Sequence, residues 1–340
     1  MHMEKDIKEN PKMLPTEIII ILGTLSVYII LRGVLNPQNE ITGTILIIMS
    51  ALIAFELIYF VWKEIKEGVK KHGWKHEAID TLIAVIVAIL MWVGASVVLN
   101  TSTPISAVVS CSMLPNLERG DFIVVQGADV KAYEINMSAS EIESLVSGPI
   151  IAITNEGNYT LPMPLYPYCN CYKTEPLCMQ FKNDPRSVIE RTGPFMYHYT
   201  VCEAKFHDRE IREYPICLEY VEYNGVRYYQ NISNDVIVYT PQKSDLFANV
   251  GDIVHRAFFK INVNGKEYYL TKGDNNPMFD IQQIGYCNMP ELRNHPVPQE
   301  NVKGRVIGRV PYLGYLKLFI AGQWKEDSQC NWQLFYTIVQ

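Results

Sequence analysis

The sequence predicts a membrane protein with three N-terminal transmembrane helices, followed by a mainly-β extracytosolic region with a large insertion. Three observations support this fold class. The first hundred of the 340 residues contain three apolar runs of membrane-spanning length. The remainder alternates short apolar segments with turn residues, as β structure does. Within it, residues 130–244 are dense in Pro, Tyr and Cys, which indicates an inserted subdomain.

The apolar runs are long enough to cross a bilayer, which takes about 20 residues. A tail at residues 1–13 precedes the region 14–99, whose predicted spans are 14–35, 41–62 and 81–99. Glu17 and Arg32 lie near span ends, where long side chains can reach the interface. Glu56 lies deeper, and we expect it to face a neighbouring helix or the headgroups. The first run is too long for the apolar part of a cleavable signal peptide.

Lysine placement predicts the orientation of these spans. Lys5, Lys8 and Lys12 precede the first span, and five lysines lie in the predicted cytoplasmic loop 63–80, whereas residues 36–40 contain none. Positive charge is retained on the cytoplasmic side, so the tail 1–13 is predicted to be cytoplasmic and everything after Leu99 extracytosolic. The expected location is the cytoplasmic membrane, or the endoplasmic reticulum in a eukaryote.

Cysteine usage agrees with an oxidising compartment. Six cysteines lie in the external region: Cys169, Cys171, Cys178, Cys202, Cys217 and Cys287. They allow up to three disulfides in fifteen pairings. A zinc site at the first three is the competing interpretation, but no well-spaced second pair or histidine partner follows. Cys111 and Cys330 stand apart from this group.

The external region is predicted to form strands on either side of turn signals. Asn264-Gly265 and Asn224-Gly225 are strong two-residue hairpin signals. The predicted strands are 121–126, 221–223, 226–230, 254–263, 266–271 and 304–310. We therefore expect one β domain from residues 100–129 and 245–322, interrupted by the insertion 130–244 and followed by a polar tail at 323–340.

A serine-rich turn, Ser110-Cys-Ser-Met-Leu-Pro115, follows the third span by about ten residues. A serine hydroxyl is a weak nucleophile until a neighbouring base takes its proton. His255 opens the predicted 254–271 hairpin, although a strand histidine in isolation is more often structural. Residues 271–280 close that hairpin and return Asp274 and Asp280 towards His255, where a carboxylate can hold the imidazole tautomer. The same segment also suits a plain turn rich in Asn, Asp, Gly and Pro.

These segments, together with Gly308-Arg-Val-Pro-Tyr-Leu-Gly314, resemble in order those of type I signal peptidases of the archaeal and endoplasmic-reticulum branch. The resemblance covers about residues 106–127 and 248–321 and implies a mainly-β, signal-peptidase-like protease domain. It implies that Ser112 is the nucleophile, His255 the general base and Asp280 the third member, with Asp274 supporting the site. The sequence leaves open whether Asp274 takes the place of Asp280 in the triad. Ser110 then matches the oxyanion-hole position beside the Ser112 N–H.

The resemblance also implies what the protein acts on. Its substrates would be signal-peptide-bearing preproteins, cleaved after small residues as they emerge from the Sec translocon beside membrane lipid. It implies no cofactor and no metal. The net charge of −6 gives no indication of nucleic-acid binding, which needs a basic face.

Several features depart from the family pattern. Cys111 occupies a place usually held by glycine. The alternative to a Ser112 nucleophile is therefore the thiol of Cys111. The insertion exceeds that of compact members, three spans are unusual, and the tail after Gly322 is too polar for a closing membrane helix.

Three rival functions stay open at this point. One is a Ser–Lys dyad that uses Lys272 or Lys260 as the base. Another is a catalytically dead membrane receptor whose cysteine-rich insertion binds a ligand. The third is a self-processing or regulatory membrane protease with one dedicated substrate.

Overall fold

The computed structural model describes residues 16–34, 40–206, 209–323 and 326–335. The chain divides into two compact units, residues 1–88 with 319–325 and residues 89–318 with 326–340. The predicted tail 1–13, with its three lysines, lies outside the described residues.

Three long helices form the N-terminal part: α1 Thr16–Val34, α2 Glu40–His72 and α3 Trp74–Val98. Among the described residues, two helices, Thr44–His72 and Trp74–Val98, are long and apolar enough to cross a membrane, and Thr16–Tyr28 is a shorter apolar helix. The structure therefore supports two of the three predicted spans, and the first span stays a prediction. The predicted loop 63–80 is helical on both sides of Gly73, because its Lys and Glu residues are good helix formers.

α1 packs on α2 within the first unit through apolar and polar contacts. Tyr28 is buried with Leu46 and Ile53. Thr24 Oγ1 donates a hydrogen bond to Glu56 Oε1 at 3.1 Å. Glu56 therefore faces a neighbouring helix, which is one of the two surroundings expected for it.

The rest of the described chain is mainly β. Its strands are β1 Ile105–Ala107, β2 Phe122–Gln126, β3 Tyr133–Asn136, β4 Ile150–Thr154, β5 Gly157–Leu161, β6 Ile189–Thr192, β7 Phe195–Val201, β8 Glu203–Phe206, β9 Arg209–Glu213, β10 Ile216–Tyr223, β11 Val226–Tyr229, β12 Val236–Tyr239, β13 Ile253–Val263, β14 Lys266–Lys272, β15 Ile284–Tyr286, β16 Met289–Arg293, β17 Val297–Pro298, β18 Val302–Val310 and β19 Trp332–Phe335. Its helices are α4 Ala139–Ser147, α5 Leu165–Cys171, α6 Pro176–Asn183 and α7 Tyr315–Ile320.

The large sheet has the order β1-β2-β18-β12-β13-β14-β17, with β3 added parallel to β13. β13 and β14 form the predicted hairpin, in which Asn264 and Gly265 have φ of 51° and 81°. Two consecutive left-handed residues are what a type I′ turn requires. A register shift between Ala257 and Phe259 makes Phe258 a bulge residue, so both phenylalanines are buried.

The insertion contributes to more than one sheet. β3 and β12, both inside the predicted segment 130–244, belong to the large sheet, so the part that departs from it lies between Asn136 and Val236. That part contains a six-stranded sheet, β11-β10-β7-β6-β4-β5. Phe195 of this sheet stacks on Phe259 of β13, with ring centroids 5.1 Å apart. The insertion and the large sheet therefore share one hydrophobic core.

All eight cysteines form disulfides: Cys111–Cys330, Cys169–Cys178, Cys171–Cys287 and Cys202–Cys217. The disulfide prediction is confirmed over the zinc interpretation. The structure adds a fourth bridge, Cys111–Cys330, between the two cysteines that the sequence left apart, and these are separated by 219 residues in the chain.

Candidate active site

The serine-rich turn lies between β1 and β2, and the 273–276 segment holds its backbone. Asn275 donates its N–H to the Ser112 carbonyl oxygen at 2.7 Å. A Cβ added at Gly273 would lie 2.7 Å from that same oxygen. Only glycine lets the two backbones approach so closely. The Ser112 side chain thereby takes a fixed direction, and the residue is 7% exposed.

His255 lies near the start of β13 and points its imidazole at the serine. Its Nε2 is 2.9 Å from Ser112 Oγ, and its Nδ1 is 2.7 Å from Asp280 Oδ2. An ionised carboxylate can only accept hydrogen bonds, so Nδ1 carries the proton and Nε2 is left to accept from the Ser112 hydroxyl. This tautomer is the one a general base needs, because the free Nε2 lone pair faces the serine proton.

Asp280 is buried and receives several donors besides His255. Its Oδ2 accepts from Thr271 Oγ1 at 2.6 Å and from Tyr239 Oη at 3.2 Å. Its backbone carbonyl accepts from Asn294 Nδ2 at 2.9 Å. Phe279, the preceding residue, packs edge-on against Phe258 at 4.8 Å between centroids. Asp280 is thus held through both its carboxylate and its backbone carbonyl.

Strand pairing explains why these groups meet. Thr271 lies opposite Ala257 in the β13–β14 ladder, and His255 lies opposite Ile237 in the β12–β13 ladder. Tyr239 is two residues from Ile237 on β12, so its side chain leaves the sheet on the same face as His255. The pairing of β12, β13 and β14 therefore gathers the imidazole, its carboxylate and the supporting hydroxyls.

Asp274 has different partners from Asp280. Arg256 binds it through two parallel hydrogen bonds of 2.7 Å, from Nε to Oδ1 and from Nη2 to Oδ2. Asn116, which directly follows the serine-rich turn, donates from Nδ2 to Asp274 Oδ2 at 2.7 Å. The structure places Asp280 against His255 and places Asp274 between Arg256 and the turn.

Ser110 lies beside the serine. The two hydroxyl oxygens, Ser110 Oγ and Ser112 Oγ, are 3.1 Å apart. Because Ser112 donates to His255, its oxygen accepts from Ser110. A donor beside the reacting oxygen is in the region where an oxyanion would develop, and the oxyanion-hole role of Ser110 stays a prediction.

The two lysines considered as alternative bases lie in different surroundings. Lys272 Nζ donates to Gln230 Oε1 at 2.8 Å and to the Gly273 carbonyl at 3.1 Å. Burial lowers the pKa of Lys272 to about 7, partly offset by Asp274 and Asp280. Lys260 is paired with Asp129 at 2.7 Å, with Glu267 at 3.1 Å and with Glu134. Ser112 Oγ is hydrogen-bonded to His255 rather than to either amine.

Several supporting residues were not predicted: Tyr239, Thr271, Arg256, Asn116, Asn275 and Asn294. Arg256 follows His255 directly, and the charge of a buried-strand arginine was a usable signal for a carboxylate partner. The others give no such signal, because a neutral hydroxyl or amide does not require a charged partner. In the described residues, no group of three or more His, Cys, Asp or Glu side chains is arranged to hold a metal ion.

Comparisons with known proteins give a partial relationship. No protein-family model matches the chain. An uncharacterized protein of Methanocaldococcus jannaschii is 25% identical over 227 residues, which cover 65% of this chain and 85% of that protein. The signal peptidase complex catalytic subunit SEC11 of Candida tropicalis is 31% identical over 87 residues, 26% of this chain. That match spans 46% of the Candida subunit, so it supports a signal-peptidase-like relationship and leaves the reaction open.

Proposed function

We propose that this chain is a membrane-anchored serine endopeptidase that removes N-terminal signal peptides from secreted or membrane preproteins. The observation that carries the proposal is the continuous contact from Ser112 Oγ through His255 to Asp280, at 2.9 and 2.7 Å. The partial similarity to a signal peptidase catalytic subunit supports the substrate class.

In the proposed reaction, His255 Nε2 takes the Ser112 proton as the serine oxygen attacks the carbonyl carbon before the scissile bond. Asp280 stabilises the imidazolium that forms. The imidazolium then gives its proton to the leaving amine, so the peptide bond breaks and an acyl-serine remains. Water, deprotonated by the same imidazole, hydrolyses this ester and restores the serine hydroxyl.

Ser110 and the Ser112 N–H are the proposed donors to the oxyanion of the tetrahedral intermediates. Each such donor contributes on the order of 3 kcal/mol to the transition state. Asp274 is proposed to support the site indirectly, because it links Arg256 of β13 to Asn116, the residue that directly follows the serine-rich turn.

The membrane explains the choice of substrate. The apolar part of a signal peptide can remain in lipid while its C-terminal end reaches Ser112, which follows Val98, the last residue of α3, by 14 residues. We propose that the reaction takes place on the extracytosolic face, on preproteins emerging from the Sec translocon, with small residues one and three positions before the cut. The substrate backbone would add as a strand along the site.

The central test is cleavage of a preprotein by the full-length chain in lipid vesicles, with the new N-terminus read by mass spectrometry. Ser112→Ala and His255→Ala are each expected to lower kcat by on the order of 10⁴-fold or more. Ser140→Ala and His198→Ala are matched controls, because they remove the same side chains outside the candidate site. Ser140 is exposed on α4 and His198 lies on β7, both in the insertion. Wild-type cleavage by Ser112→Ala would contradict the proposal.

The same assay separates the rivals. Activity that survives His255→Ala but is lost in Lys272→Met would indicate a Ser–Lys dyad. Biological function that survives Ser112→Ala would indicate a receptor. Cleavage of one preprotein among several with small residues before the cut would indicate a dedicated protease.

A further inference from the structure

The segment Glu326–Phe335, which we name the C-terminal strap, lies against the serine-rich turn. Cys330 of the strap forms a disulfide with Cys111, the residue immediately before Ser112. The strap thus returns from the far end of the chain to a position one residue from the candidate nucleophile.

Asn275 joins the strap to the turn a second time. Its Nδ2 donates to the Cys111 carbonyl at 3.1 Å and to the Trp332 carbonyl at 3.0 Å. Its Oδ1 accepts the N–H of Leu334 at 2.7 Å. A primary amide has two N–H donors, and both are used. Asn275 is fully buried, so this side chain acts as a rigid link between the two segments.

Further contacts anchor the strap on both sides of Cys330. Its strand β19 pairs with β8, with Leu334 opposite Ala204. Leu334 is buried in a cluster with Ala204, Cys202 and Cys217. Gln329 Nε2 adds a hydrogen bond of 2.7 Å to Asn276 Oδ1. The strap is therefore held between a packed cluster and the residue that precedes Ser112.

These contacts converge on the backbone around the serine. The Cys111 carbonyl accepts from Asn275 Nδ2, and the Ser112 carbonyl accepts from the Asn275 N–H. Both peptide planes that flank Ser112 are thus fixed, one of them also through the covalent bridge at Cys111.

We propose that the C-terminal strap is a positioning element for Ser112, acting through the Cys111–Cys330 bridge and Asn275. This inference rests on the proposed function for its catalytic consequence. A nucleophile displaced by about 1 Å can lose about 100-fold in rate. The strap holds the turn rather than the substrate, so its loss affects kcat more than KM.

The experiment compares two disulfide-free pairs in the full-length chain in lipid vesicles. Cys111→Ala with Cys330→Ala removes the bridge to the strap. Cys169→Ala with Cys178→Ala is the matched control, because that bridge links α5 to α6 in the insertion. Gln329→Ala is a further variant that weakens the strap and keeps every disulfide. All are assayed below the unfolding temperature of the least stable one.

Two readouts are taken, preprotein cleavage and amide hydrogen exchange of residues 108–117. We expect the Cys111/Cys330 pair to lower kcat about 10- to 100-fold with KM within about twofold, and to speed exchange in 108–117. Gln329→Ala should change both readouts in the same direction as the Cys111/Cys330 pair but by a smaller amount. The control pair should leave both at wild-type values.

The outcomes separate the two proposals. If the wild type cleaves and the Cys111/Cys330 pair retains its kcat, the strap inference is wrong and the proposed function stands. If the wild type does not cleave, the proposed function fails, and exchange decides the strap inference alone. Unchanged exchange in residues 108–117 would then overturn it.

Discussion

At the scale of single residues, the two aspartates of the 271–280 segment have separate partners. Asp280 faces His255 and two hydroxyl donors, whereas Asp274 faces Arg256 in a bidentate pair. Both are buried, so substitution at either has a large cost, but the cost should appear in different measurements.

Asp280→Asn is expected to lower kcat by about 10³- to 10⁴-fold with a small change in stability, because the amide no longer selects the tautomer with a free Nε2. Asp274→Asn should instead lower the free energy of unfolding by about 3–5 kcal/mol, because it leaves the buried Arg256 without its counter-charge. Initial rates and denaturant unfolding of both variants measure this. A loss of kcat in Asp274→Asn with a loss of stability in Asp280→Asn would show that the wrong aspartate has been placed in the triad.

Lys272 predicts a pH dependence of stability. Burial lowers its pKa from an ordinary 10.5 to about 7, so the unfolded chain binds more protons than the folded chain between these values. The stability of the wild type relative to Lys272→Met should therefore rise with pH from about 7 to 10.5. Denaturant unfolding at several pH values checks this, and a relative stability that falls with pH would contradict it.

At the scale of elements, the 273–276 segment depends on a close backbone approach to the serine-rich turn. A Cβ at position 273 would meet the Ser112 carbonyl oxygen, so the two segments would have to separate. Gly273→Ala is expected to lower kcat about 10- to 100-fold by moving the nucleophile. Gly308→Ala is the control, because a Cβ there meets no atom within 4 Å. Equal rates for both variants would argue against the close approach.

A buried carboxylate connects the six-stranded sheet to the Asp280 segment. Glu190 of β6 accepts from Tyr199 Oη at 2.8 Å and from Gln282 Nε2 at 3.2 Å, and Gln282 is two residues after Asp280. Leu165 N–H donates to the same carboxylate at 2.9 Å. Burial raises the pKa of Glu190, and these donors oppose that rise. The insertion thus contacts the segment that carries Asp280.

Glu190→Gln is expected to lower the free energy of unfolding by about 1–3 kcal/mol, because the new amide N–H₂ faces groups that are already donors. Glu219→Gln is the control, since it removes only an ion pair with the exposed Arg186, a kind of pair that contributes about 0–1 kcal/mol. Denaturant unfolding of both variants measures the difference. A Glu190→Gln variant as stable as the control would show that the network does not depend on the charge.

At the scale of the whole molecule, the proposed function predicts a requirement for membrane-bound substrate. In vesicles, a preprotein with an intact apolar segment should be cleaved faster than one shortened to half that length. The physical reason is that each buried CH₂ contributes about 0.8 kcal/mol to retention in lipid. Rates for the two preproteins, with an identical cleavage site, check this. Equal rates would remove the role of the membrane in substrate binding.

Much of the architecture could be predicted from local patterns. The Asn264-Gly265 hairpin was predictable because a type I′ turn demands residues that tolerate positive φ. The apolar runs indicate membrane-crossing helices by length alone, and the structure supports two of them. The segment 63–80 was expected to be a loop and is largely helical. Its residues have high helix propensity, and the single glycine at position 73 interrupts the helix only locally.

Local residue chemistry is enough to propose Ser112, His255 and the pair Asp274 and Asp280 as candidates, because each lies in a short segment with a recognisable pattern. Their partners follow from long-range packing. Which aspartate meets His255 depends on the register of β12, β13 and β14, which is set by long-range pairing. The pairing of Cys111 with Cys330 depends on a chain return over 219 residues. No local pattern encodes such contacts, since they arise when the whole chain packs.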